Sequence, residues 1–144
     1  MNDHNIFFRS VITWLLFIPI VFINATIREL VYKPLTGELA AHQISTVIAS
    51  ATFFILAYFH LRNYLQTVSN SSLFQIGFMW VIMTVPFEFA LGRIVTGASW
   101  DKLLFDYNIL EGRIWIMLLI AELATPFGIK QLKNLKTKRY ESAY

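Results

Sequence analysis

Ser10–Ile27 reads SVITWLLFIPIVFINATI, eighteen residues without a charge. As a helix, at about 1.5 Å per residue, it reaches nearly across a hydrocarbon core of roughly 30 Å. A bilayer offers backbone amides no water, so a segment of this composition must be helical to satisfy them. Three further runs follow at Ile44–Leu61, Leu73–Leu91 and Ile114–Ile129. Glu88 and Glu122 are the only Asp, Glu, Lys or Arg residues inside them, and His60 the only histidine. The chain therefore reads as an all-α membrane protein of four transmembrane helices. The first run is longer than the apolar region of a typical signal peptide and has no small-residue cleavage site before Arg28, so a retained helix is expected.

Composition agrees. The chain has 144 residues, of which 56% are hydrophobic and 16% aromatic, and a mean hydropathy of +0.55. These values lie outside the range of ordinary soluble domains. One domain spanning residues 1–144 is expected, ending in a short basic tail over 130–144. With no cysteine, disulfides, thiolate metal sites and thiol catalysis are excluded. The net charge of +3 comes from a chain with five of its twelve basic residues in the last fifteen positions. That pattern describes a juxtamembrane tail in contact with anionic lipid, and no nucleic-acid partner.

The links between runs are unequal. Arg28–Gln43 and Gly92–Arg113 read as long polar loops, and Arg62–Ser72 as a plain turn, giving two hairpins with both long loops on one side. Arg9, Arg62, Lys130, Lys133, Lys136, Lys138 and Arg139 fall on the side of the termini; Arg28, Lys33, Arg93, Lys102 and Arg113 fall on the other. The positive-inside rule then places both termini in the cytoplasm. Within the third link, Trp100, Leu103, Leu104 and Tyr107 recur at helical spacing behind a possible N-cap at Ser99, between Gly97 and Gly112. A short amphipathic helix lying in the membrane interface is expected there.

Polar residues inside or beside the runs are costly in a membrane and so carry information. Asn24, Arg28, Glu29, His42, Glu88, Arg93, Asp106, Asn108 and Arg113 gather at the long-loop face as a candidate ligand or ion-pair pocket. Glu88 lies about one turn below its helix end, where a lone carboxylate is expensive, and pairing with Arg28 or Arg93 is expected. Glu122 is the deepest ionisable group, some 14 Å below Arg113. No basic residue of a neighbouring run reaches that depth, so a neutral acid facing another helix or a cavity is expected. Small residues such as Gly77, Ala49, Thr52 and Thr84 suit helix interfaces.

Phe87-Glu88-Phe89, Gly92-Arg93, Gly97, Ser99-Trp100, Leu103-Leu104, Asp106-Tyr107-Asn108 and Gly112-Arg113 with Trp115 resemble the signature of a family of small, uncharacterised bacterial four-helix integral membrane proteins. The resemblance covers about Glu88 to Trp115. It implies the hairpin architecture and a bacterial inner membrane, and implies no chemistry.

Several chemistries are set aside. His42 and His60 stand about 27 Å apart along one helix, too far for a bis-histidine haem. No His-Glu-x-x-His, Walker loop or Gly-x-Ser-x-Gly occurs. No metal site and no cofactor are expected. Three function classes remain: small-molecule or ion transport or binding, first; an accessory subunit of a membrane complex; and an intramembrane enzyme on a lipid or lipid-linked substrate. A homo-oligomer or a membrane partner fits the first two.

Overall fold

The computed structural model describes residues 3–94 and 97–141. The expected placement of Met1 and Tyr144 concerns positions outside these residues. The described residues are all-helical, running α1 (Asp3–Ile27), a π-helical segment (Arg28–Tyr32), α2 (Lys33–Thr36), α3 (Glu38–Leu61), α4 (Asn70–Ile94), α5 (Trp100–Phe105), a 3-10 turn (Ile109–Glu111) and α6 (Ile116–Glu141). Three of the helical stretches, Asn5–Thr36, Glu38–Leu61 and Asn70–Ile94, are long and apolar enough to cross a membrane.

One expectation is corrected at the first link. Arg28–Gln43 is not a loop: the π segment and α2 continue α1, and α3 begins at Glu38. Gly37 alone breaks the helix, with φ at +83°, a left-handed value that glycine adopts without a Cβ clash. The polar residues here stabilise a helix instead of a loop. Lys33 Nζ reaches Glu29 Oε2 at 3.1 Å, one turn away, and Pro34, which has no N–H to give to the helix, follows directly on the π segment.

Hydroxyls within the long helices are satisfied locally. Ser10, Thr13, Thr46, Ser50, Thr52 and Thr125 each donate to the carbonyl four residues earlier, the arrangement a membrane helix needs to carry them.

Packing follows the order α1 on α3, α3 on α6 and α6 on α4. The core is aromatic: Phe53 meets Phe17 and Trp80 edge-to-face, each with centroids 4.9 Å apart. Trp80 is fully buried and donates its indole N–H to the Ser10 carbonyl at 2.8 Å. α1 meets α4 over a shorter stretch, around Ser10, Trp14, Trp80, Thr84 and Phe87. Beyond it the two helices leave a crevice.

At the opposite end of the bundle the tail helix is tied to the α3–α4 turn. Lys130 donates to the Val68 carbonyl at 2.7 Å and Lys133 to Asn63 Oδ1 at 3.0 Å. These lysines hold the turn, a use that a juxtamembrane tail in contact with anionic lipid does not imply.

Candidate functional site

The crevice is a cavity of about 670 Å³ between α1 and α4, within the size range of small-molecule sites. Its closed end is Trp14, whose indole N–H donates to Thr84 Oγ1 at 2.9 Å. His42 of α3 and Leu118 of α6 stand behind it, and Lys102, Leu103 and Asp106 in and after α5 cover it. One wall is made by Val21, Phe22, Ala25 and Thr26 of α1, then by Arg28, Glu29 and Leu30 of the π segment and Lys33 of α2. The π segment lies at this rim. Its wider turn, closed by the Lys33 N–H on the Arg28 carbonyl, changes the helical register where the wall turns from apolar to charged. Phe22 and Leu30 are 43% and 73% exposed, so the crevice opens onto the outer apolar surface between the helices.

The cover is keyed to α4. Ser99 caps α5, accepting from the Lys102 N–H, and Leu103 is buried against Gly92, where any Cβ would run into the leucine methyls. Behind the cover, Glu88 Oε2 accepts from the Tyr107 hydroxyl and from the Trp115 indole N–H, each at 2.5 Å. Burial, with the Glu88 carboxyl beside it, raises the Tyr107 phenol well above its ordinary pKa. It therefore remains a donor throughout the physiological range.

The partners of Glu88 differ from expectation. No ion pair within 4 Å joins it to Arg28 or Arg93 among the described residues. Arg93 instead donates to the Ala98 carbonyl at 2.9 Å and lies over the Trp100 ring, while Arg28 pairs with Glu29 at 3.2 Å. Two neutral donors supplied by distant segments replace the cation.

Five of the nine expected pocket residues line the cavity: Arg28, Glu29, His42, Glu88 and Asp106. Arg113 stands behind them, joining Asp106 at 3.3 Å and Glu38 at 3.1 Å. His42 is 3% exposed, with Nδ1 4.0 Å from Asp106 Oδ1. Asn24 and Asn108 are elsewhere and structural. Asn24 bridges α1 to α3 through the Ser45 carbonyl at 2.8 Å, and Asn108 caps the 3-10 turn through the Leu110 N–H. Glu122 is fully buried and outside the lining. Its Oε1 accepts from the Thr84 hydroxyl at 2.7 Å, and its Oε2 has no partner. The sequence reading omitted Lys33, Lys102, Tyr107 and Trp115 from the site. Glu29–Lys33 spacing could have signalled Lys33; nothing local marks the other three. Among the described residues no cluster of three or more metal-ligating side chains occurs.

Compared with protein-family models, curated proteins and solved structures, the chain matches none. The functional reading rests on the site itself.

Proposed function

We propose that this is a four-span membrane protein that binds one amphiphilic small molecule, entering sideways from the bilayer into the α1–α4 crevice. The observation that carries the reading is the cavity: apolar along its length, charged at one end, and rimmed by the exposed Phe22 and Leu30. A molecule with a chain and a polar head matches that division. Proton-coupled transport through Glu122 is less well supported, because the cavity stops at Thr84 and the carboxyl is sealed behind it.

For α6 the fourth span is a matter of facing. Its apolar part, Ile116 to Ile129, covers only about 21 Å at the helical rise. However, Glu122 and Thr125 are turned inward, while Met117, Ile120 and Phe127 are exposed. Thus average composition understates how apolar its outer face is.

The basic residues support termini in the cytoplasm and a crevice mouth on the far side of the membrane, which by the resemblance over Glu88 to Trp115 is a bacterial inner membrane. The chain lacks cysteine, so labelling has no background. A cysteine at Leu110, which is 97% exposed, should react with an impermeant maleimide in intact cells, and one at Asn70 should not. The reverse result would invert the topology.

The binding reading is tested by filling the crevice. Ala25→Trp places an indole in the cavity wall, and lipid mass spectrometry of the purified variant should show the bound amphiphile lost while the helical content stays. Equal lipid recovery from variant and wild type would reject the crevice as the site.

A further inference from the structure

Three cations at the crevice mouth have one ion-paired carboxylate between them, and from this we infer that its occupant is an anionic lipid. The phosphate of its head group sits among Arg28, Lys33 and Lys102, with one acyl chain running down between α1 and α4. The inference rests on the crevice being an amphiphile site. It adds the class of head group and the residues that choose it.

Three cations line the mouth. Glu29 is the one carboxylate shared by two of them, at 3.2 Å from Arg28 Nε and 3.1 Å from Lys33 Nζ. Asp106, the other acid of the rim, is joined instead to Arg113 at 3.3 Å, a cation it shares with Glu38 at 3.1 Å. Lys102 enters no ion pair among the described residues. Arg28 engages Glu29 through Nε, which leaves its terminal nitrogens able to take a phosphate through two parallel N–H bonds. A head group bearing only a cation would gain nothing from Arg28, Lys33 and Lys102.

Polarity along the crevice follows from the same residues. Val21, Phe22 and Ala25 face Phe87 and Leu91 below the charges, a surface for methylenes and not for phosphate. Farther in, Glu88 presents carboxyl oxygens, acceptors that oppose phosphate oxygens. The head group is therefore held at the mouth and the chain directed inward. Lys102 belongs to the α5 cover, so a seated phosphate would also tie the cover to the end of α1.

The test uses the full-length protein, delipidated in a neutral detergent, and native mass spectrometry with phosphatidylglycerol or phosphatidylcholine of identical acyl chains. Wild type is expected to hold one phosphatidylglycerol about tenfold more tightly than phosphatidylcholine, given the contribution of each basic residue near a membrane surface. Lys102→Glu is expected to weaken both lipids, since both carry the phosphate, and phosphatidylglycerol the more, so that most of the preference is lost. Lys102→Gln, a milder change at an exposed position, should fall between the two. Equal binding of both lipids by wild type, lost from both in Ala25→Trp, would overturn the anionic assignment and leave the crevice reading intact. Absence of any one-to-one lipid adduct would overturn both.

Discussion

Substitution of Gly77 by valine is expected to leave little folded bundle, and by alanine to destabilise it by about 2–3 kcal/mol. At Gly77, α4 and α6 approach so closely that an added Cβ would stand 2.6 Å from the Leu123 carbonyl oxygen and 2.9 Å from its Cα. Those are backbone atoms, so relief requires moving α6 as a body. Gly128 makes the internal comparison. There a Cβ would meet only the Phe54 ring edge, at 3.2 Å, and a side chain can turn aside. A Gly→Ala change in a helix contributes up to about 1 kcal/mol from propensity alone, so Gly128→Ala should be neutral or mildly stabilising. Thermal unfolding of both alanine variants in the same detergent decides it. Gly77→Ala melting with the wild type would mean the α4–α6 approach is not a constraint on the fold.

Gly77 also shows what sequence could and could not reveal. A glycine in an apolar run marks a close helix contact, but not which helix is approached or at which residue. The runs themselves were legible because a membrane selects for composition over lengths set by its thickness. Hydropathy reports solvent, however, and not helicity. Arg28, Glu29, Lys33 and Glu38 looked like loop because they are polar, yet they extend a helix beyond its apolar part.

The site was half legible for a related reason. Intramembrane or near-membrane ionisable residues stand out, so Glu88, His42 and Arg28 were found. Their partners did not stand out. Tyr107 and Trp115 reach Glu88 from 19 and 27 residues away, and an O–H or indole N–H is as good a donor as the arginine that spacing suggested. Lys102 stands outside the apolar repeat of Trp100, Leu103, Leu104 and Tyr107, so periodicity turns it away from the bundle. In a helix of six residues, both sides lie near the crevice.

Removal of Glu122 to alanine is expected to cost about 2–4 kcal/mol, and its replacement by glutamine no more than about 1 kcal/mol. The residue closes a hydrogen-bonded line through three helices. Trp14 on α1 donates to Thr84 Oγ1 on α4, and the Thr84 hydroxyl, which has one proton, spends it on Glu122 Oε1 of α6. Thr84 lies two turns beyond Gly77 on α4, so the close approach at Gly77 is what brings this line within reach. Alanine leaves a void where a fully buried side chain stood and takes the acceptor from Thr84. Glutamine keeps the volume and offers a carbonyl oxygen in the place of Oε1. No cation among the described residues is ion-paired to Glu122, so the bond it makes is one that a neutral amide can reproduce. Both variants should be compared by thermal unfolding and by lipid retention, since Thr84 also lines the crevice. A glutamine variant as damaged as the alanine variant would show that the charge of the carboxylate, and not its place in the hydrogen-bonded line, is what the bundle requires. It would return Glu122 to consideration as a proton-linked group.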